Sequence, residues 1–447
     1  MGLWTLLKRW MGAGPAQAPL VAPSRSAPLA PPVAVAPPPV AATPVVSASR
    51  WMLRRDELLD DAGRLAGYRF VVHGEASADL QPTALAQLLQ EAGVPAFAER
   101  RLALVHVPDP DWAHATALSA LASPRWVWQV DVSRALGDPA DLVGCLQRLR
   151  QAGQGVALSG LNDDLDHPAL AVATQVVLDF SRQQPAALER QLRDLQARWP
   201  QVGVIVEQVP TWADRHWCMA MGAKWASGRY LATADQADAG RKINGSRLVL
   251  MEMLNLVRQE ADASAIAAVA KRDPGVAVQL LQQANSAQFG LQTAITGLEQ
   301  AIMLMGRQAV YRWLAVAVFR TGGGTARDAT LLEMALSRAR LLELVGLARA
   351  SKQEADELFL VGLLTFVDVL LGMTMAEVLQ RMALPQAVQD VLLRTEGPYA
   401  PQLMLALAVE KCHQRRVAQL AESLGLAPDE LNAQRTAALL WAEEAAR

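Results

Sequence analysis

GVALSGLNDDLDHPALAVATQVVLDFSRQQPAALERQLRDLQARWPQVGVIVEQV, residues 155–209, decides the first half of the chain. Three short apolar runs, GVALSGL (155–161), TQVVLDF (174–180) and VGVIVEQV (202–209), have the length and composition of buried strands. LERQLRDLQARW (188–199), between the last two, has helical spacing. Strands alternating with helices predict parallel β–α units. Upstream, YRFVVHG (68–74), RLALVHV (101–107) and RWVWQVDV (125–132) extend the series, with the helical LVGCLQRLRQAG (142–153) after them. Six strands within residues 51–240 predict a reduced TIM-like α/β barrel.

The strand signals stop near residue 240, and residues 244–440 predict an all-α bundle. Asp273-Pro274 has the form of an N-cap followed by proline at the first helical position. Val276, Val278, Leu280, Leu281 and Ala284 supply the apolar face behind it. Thr296-Gly297-Leu298-Glu299 has the form of a capping box, and Gly306 the form of a helix stop.

Residues 13–49 are dominated by Pro, Ala and Val and predict a disordered tether. Residues 1–12 form a short amphipathic segment, in which Leu3, Trp4, Leu6, Leu7, Trp10 and Met11 accompany Lys8 and Arg9. A frayed terminus is the preferred reading there, ahead of a membrane-surface or partner-docking helix. The net charge of −2 gives no bulk field for nucleic acid. Cys145, Cys218 and Cys412 form no CxxC pair, which points to a reducing cytoplasm. His216 and Cys218 stand two apart on a predicted helix, so they point apart and make no metal pair. Gly322-Gly323-Gly324-Thr325 lacks the Gly-Lys of a phosphate-binding loop and reads as a turn.

Read motif by motif, the first half resembles the EAL family of cyclic di-GMP phosphodiesterases with its ligand positions altered. DDAGRLAGYRFVVHG (60–74) occupies the place of the G-x-E-A-L-x-R signature, with Gly67 at the glycine, Arg69 at the metal-binding glutamate and His73 at the arginine. His106 stands at the family's asparagine, Gln129 at its next glutamate, and Ser159 with Gly160 at its paired aspartates. Val177 replaces the lysine while Asp179 remains. Glu207 is kept, Pro210 falls at the second glutamate, and Ser227 replaces the glutamine. The resemblance implies a barrel that has lost the oxygen ligands needed for two divalent cations. The expectations are no catalytic residues, no metal, no cofactor, and a chain that is not an enzyme. Asp179 and Glu207 read as capping or salt-bridging carboxylates. Trp126, Trp128, Trp212, Trp217 and Trp225 read as core rather than as base-stacking platforms.

The second half resembles the HDOD family. VAKRDPGVAVQLLQQANSAQFG (269–290), then ITGLEQAIMLMG (295–306) with RQAVYRWLAV (307–316), carry the pattern. In ELFLVGLLTFVDVLLGM (357–373), Thr365 and Phe366 occupy the place of the histidine–aspartate dyad of HD phosphohydrolases, and Asp368 alone makes no metal site. The resemblance implies a non-enzymatic bacterial signalling adaptor that docks a protein partner, or a second copy of itself, through the helical half. Asp273, Pro274, Asn285, Ser286 and Gly306 read first as caps and turns, second as an interaction region. A non-hydrolysing cyclic di-GMP or other nucleotide sensor is the alternative, and a residual phosphodiesterase the third reading.

Overall fold

The computed structural model describes residues 51–446 except 75–79, 115–117, 119, 120, 122, 124, 163, 234, 236–243, 287–294, 322–324 and 383. The amphipathic segment, the Pro/Ala-rich tether and the three consecutive glycines lie outside the described residues.

Eight strands close into a barrel in sequence order. They are β1 (Trp51–Leu59), β2 (Leu65–Gly74), β3 (Leu102–His106), β4 (Trp126–Asp131), β5 (Gly155–Ser159), β6 (Gln175–Asp179), β7 (Gly203–Val209) and β8 (Trp225–Gly228). β1 runs antiparallel to both β2 and β8; β2 through β8 are parallel. The barrel is therefore complete in strand number, and the expectation of a reduced, six-stranded one is corrected. β1 and β8 escaped the sequence reading because WMLRRDELL is charged at its centre and β8 has only four residues.

Outside the barrel lie α1 (Pro82–Glu91), α2 (Val94–Ala98), α3 (Pro139–Gln151), α4 (Pro185–Arg198) and α5 (Trp212–Ala220). Strand side chains alternate between faces. Leu58, Leu104, Val127, Ala157, Val177 and Ile205 fill the interior as one apolar layer. The opposite faces pack against the helices and include Trp126 and Trp128, both fully buried.

The helical half begins with α6 (Gly245–Arg258), α7 (Ala263–Ala270), α8 (Pro274–Ala284), α9 (Leu298–Met305) and α10 (Arg307–Arg320). It continues through α11 (Ala326–Arg349), α12 (Lys352–Leu364), α13 (Val367–Leu371), α14 (Met375–Gln380) and α15 (Gln386–Arg394). α16 (Ala400–Glu410), α17 (Gln414–Ser423) and α18 (Pro428–Ala445) complete it. The cap of α9 is Gly297 with no side-chain hydrogen bond, so the capping box expected at Thr296–Glu299 does not form. No single described helix is long and apolar enough to cross a membrane.

The two halves share a seam. α11 is buried along its length because helices cover one side and the barrel the other. Its Glu333, 3% exposed, accepts from Arg101 Nη2 of the barrel at 2.8 Å and from Tyr68 Oη at 3.3 Å. Thr330 Oγ1 donates to Gly63 O at 3.0 Å, and Gln414 Nε2 to His73 O at 2.9 Å. Met52 belongs to the helical core and Leu439 to the barrel core. The apolar interiors interdigitate across the seam, which fixes the halves against each other.

Candidate functional site

The carboxyl ends of the parallel strands of such a barrel gather polar side chains from several strands at one mouth. Here the centre of the mouth is Arg69, 7% exposed, on β2. Its Nε donates to Gln129 Oε1 on β4 at 2.8 Å and lies 3.0 Å from Glu207 Oε2 on β7. Its Nη1 lies 3.5 Å from Asp56 Oδ2, on the neighbouring β1. Arg54 also holds that oxygen, at 3.0 Å from Nη2 and 3.2 Å from Nε. Gln129 Nε2 then donates to Ser159 Oγ at 3.3 Å. One guanidinium thus ties together four strands.

Glu207 Oε2 is buried and has no hydrogen-bond donor, although Arg69 Nε is close, because the Nε–H is aimed at Gln129. Burial raises the Glu207 pKa; Arg69 opposes the rise, while Asp179 and Asp56 add to it. His106 is pushed down to about 4, first by burial and then by Arg69. Burial likewise lowers His73, with Arg54 next in effect. The His106 imidazole is therefore neutral at pH 7, and the same effects favour the neutral form of His73.

The other named positions serve the frame. Asp179 Oδ1 accepts from Ser181 N at 2.9 Å and Ser181 Oγ at 2.6 Å, capping the turn after β6, and Oδ2 meets Arg182 Nε at 3.1 Å. Val177 is in the apolar layer and Ser227 is buried. Pro210 is half-buried just past β7. Gly160 has φ +75°, a backbone that strains any side chain, and a Cβ there would have to displace the Asp131 carboxylate. Trp126, Trp128 and Trp212 are core; Trp225 packs on the apolar layer, and Trp217 is partly buried against the helical shell.

The resembled family implies a pair of divalent cations at this mouth, and the residues do not fit them. Hard cations want several free anionic oxygens. Glu207 Oε2 is an available oxygen, but a guanidinium nitrogen stands 3.0 Å away. Gln129 and Ser159 are neutral, and Asp179 is spent on a turn. No group of three or more His, Cys, Asp or Glu among the described residues is arranged to hold a metal. His216 and Cys218 lie on α5; His216 Nε2 meets Asp235 Oδ2 at 3.6 Å, and Cys218 is buried.

In the helical half, Asp273 Oδ1 accepts from Gly275 N at 2.8 Å and Val276 N at 3.1 Å, with Pro274 opening α8. Asn285 closes α8, donating to Leu281 O at 2.9 Å and Ile295 O at 2.7 Å, and accepting from Ile295 N at 2.6 Å. Ser286 is buried with its Oγ unpartnered, and Gly306 joins α9 to α10. At the dyad position, Thr365 Oγ1 accepts from Arg338 Nη1 at 2.6 Å, and the same guanidinium lies 4.3 Å over the Phe366 ring. Asp368 accepts from Val369 N at 2.8 Å, and burial raises its pKa.

Residues 247–395 match the HDOD domain family. The chain carries an HDOD domain. Its HDOD domain therefore covers α6 through α15, and three further helices pack after it. The chain is 26% identical over 176 residues to the uncharacterized protein YuxH of Bacillus subtilis, covering 39% of this chain and 43% of that one. It is 22% identical over 329 residues to the cyclic di-GMP phosphodiesterase CdgJ of Vibrio cholerae, covering 72% of this chain and 75% of that one. Solved structures matching the barrel half include the Bacillus subtilis YkuI protein, with an EAL domain, in complex with c-di-GMP and calcium. That match has 13% identity and a TM-score of 0.35, and covers 41% of this chain and 54% of that one. The Klebsiella pneumoniae BlrP1 manganese/c-di-GMP complex matches at 14% identity and a TM-score of 0.34, covering 40% and 54%. The relation to CdgJ spans both halves and points to an enzyme lineage, which corrects the expectation that this chain is not an enzyme.

Sequence reasoning missed Arg54 and Asp56, which complete the Arg69 cluster, and Glu333, which holds the seam. The alternating charges of β1 were the available signal: Arg54 and Asp56 share one face, Arg55 and Glu57 the other.

Proposed function

We propose that the chain is a bacterial cytoplasmic signalling protein in cyclic di-GMP-related regulation, whose HDOD domain docks a protein partner while the barrel, fixed to it, supplies the input. The observation that carries this reading is the seam. Glu333 of α11 is bonded to Arg101 and Tyr68 of the barrel, so a change in either half reaches the other through a buried contact. Three buried free thiols agree with a reducing compartment. The partner is a protein, a second copy included, rather than a nucleic acid, since the net charge is −2.

Val278 on α8 and Met303 on α9 are 52% and 67% exposed within the segment most like the family. Affinity capture with the full chain should retain a defined partner. The double variant Val278→Asp, Met303→Asp should lose it with an unchanged melting temperature. Equal recovery by both proteins would remove the HDOD surface from this role.

A nucleotide-binding mouth is the second reading, favoured by Glu207 Oε2. A buried carboxylate oxygen without a donor suits a nucleobase N–H. Isothermal titration with cyclic di-GMP should then give heat at micromolar ligand that disappears in Glu207→Ala. No heat with the full chain would leave the docking reading alone.

A further inference from the structure

A cavity of about 690 Å³ lies in the seam, on the outer side of β1, and touches the mouth cluster at Asp56. Its walls come from the outer face of β1, from α1, and from α11, α16 and α18. The apolar part includes Trp51, Leu53, Phe70, Leu341, Val409 and Leu439. This volume is in the range of sites that enclose small organic molecules.

The charged lining holds Arg55, Arg338 and Arg435 beside five carboxylates, of which Glu91 and Asp429 are exposed at the rim and Asp56 is held by Arg54 and Arg69. Arg338 is neutralised by a two-pronged pair with Glu410, at 2.8 and 2.7 Å. Arg55 donates only to Ser337 Oγ, at 3.3 Å, and stacks 4.6 Å over Tyr68. Arg435 donates to Asn432 Oδ1 at 3.2 Å and Leu53 O at 3.1 Å. Neither Arg55 nor Arg435 makes an ion pair among the described residues. Glu57, the carboxylate beside them, lies deep but faces the cavity. Burial pushes it up to about 7, so near neutrality its charge is only partly developed. Trp51 also lines the cavity; it is 4% exposed and its indole N–H has no partner. Unpaired charge and an unused donor in a sheltered space are costly unless something arrives to use them.

We infer that this cavity binds a small organic anion, its carboxylate or phosphate head on Arg55 and Arg435 and its apolar or aromatic body against Trp51, Phe70 and Leu439. The site is distinct from the proposed docking surface and meets the barrel mouth at Asp56. It also has a route to the mouth. Arg55 and Glu57 face the cavity from the strand whose opposite face carries Arg54 and Asp56, the partners of Arg69. A ligand gripping the outer face of β1 loads the strand that holds the mouth together.

The test uses the full chain and the fluorescent anion 8-anilinonaphthalene-1-sulfonate. One saturable site per chain is expected. Displacement by decanoate identifies an aliphatic carboxylate, and displacement by guanosine 5′-monophosphate a nucleotide phosphate; either supports the site. Arg435→Met should weaken binding about tenfold, the loss of one charge-assisted hydrogen bond. Glu57→Gln should leave it equal or tighter. Should Arg435→Met fail to fold by circular dichroism, Arg55→Gln is read instead, since glutamine still reaches Ser337. Absence of saturable binding, or equal affinity in the folded arginine variants, overturns the proposal.

Discussion

β1 separates two treatments of buried positive charge. On its inner face Arg69 is answered by Asp56 and Glu207 and by the amide of Gln129. On its outer side Arg55, and Arg435 of α18 across from it, have only neutral hydrogen-bond partners and face a cavity. The difference teaches where to look for a ligand. A guanidinium surrounded by its own carboxylates is complete and acts as a structural tie. A guanidinium given only a hydroxyl or a carbonyl has electrostatic work left over. By this criterion the mouth, where the resembled family binds cations, is the more self-contained place, and the seam is the less finished one.

The largest expected effect comes from breaking a charge that is complete. Glu333→Ala strips Arg101 and Tyr68 of their shared acceptor inside the seam. Removing one partner of a buried pair costs about 3–5 kcal/mol. Urea unfolding should show that loss, with both halves melting in one transition. A loss under about 1 kcal/mol, the range of exposed pairs, would mean the seam is wet and the comparison misplaced.

Arg69→Glu tests the mouth directly. In the absence of metal it should destabilise by a similar amount, because Asp56 and Glu207 then face a third carboxylate instead of a cation. Adding millimolar manganese should raise the melting temperature of this variant, and chelator should reverse the rise. The wild-type protein should show neither change. A manganese-dependent shift in the wild type would show that the mouth accepts a cation despite Arg69.

Glu57 gives the outer face a pH signature. Its folded pKa is raised above 4.5 to about 7 by burial, with Arg55 opposing and Asp56 and Glu410 adding to the rise. Arg338, Arg435 and Glu91 also line the cavity it faces. A carboxyl raised in the folded state holds a proton that the unfolded chain has released, so stability falls as pH rises from 4.5 through 7. Glu57→Gln should therefore gain on the wild type between pH 5 and pH 8, by about 1–3 kcal/mol. A pH-independent difference would place an anion-compensating group beside Glu57 that the comparison lacks.

What could be read beforehand followed from how each segment is covered. β2 through β7 are apolar runs of five to ten residues, buried on both faces, and composition alone identifies them. β1 hides because its centre faces a polar mouth on one side and a charged cavity on the other, so Arg54 through Glu57 look like a loop. The positions around Arg69 were legible through motif order. Their pairing was not, since Asp56 meets Arg69 through a strand absent from the reading. The seam was invisible for a related reason. Glu333 and Arg101 lie 232 residues apart, and nothing local distinguishes a glutamate aimed at another domain from one aimed at water.

The smallest effect separates cap from contact in the HDOD domain. Asp273 holds two backbone N–H groups at the start of α8 and accepts from Ser246 Oγ. The Ser246 hydroxyl and the Val276 amide hold its carboxyl below the ordinary aspartate value of 3.8. A depressed carboxyl stabilises the fold above its unfolded pKa, and that contribution is lost as pH falls through the folded one. Asp273→Ala should cost about 1 kcal/mol at pH 7. The cost should shrink as the pH drops below 3.8, and partner capture should be unchanged once the protein is folded. Asp273→Asn should restore most of the stability, because an amide oxygen caps nearly as well. If asparagine rescues the melting temperature but not the partner, then Asp273 resembles Arg55 and Arg435 more than Arg69: a charge whose counterpart comes from outside the chain.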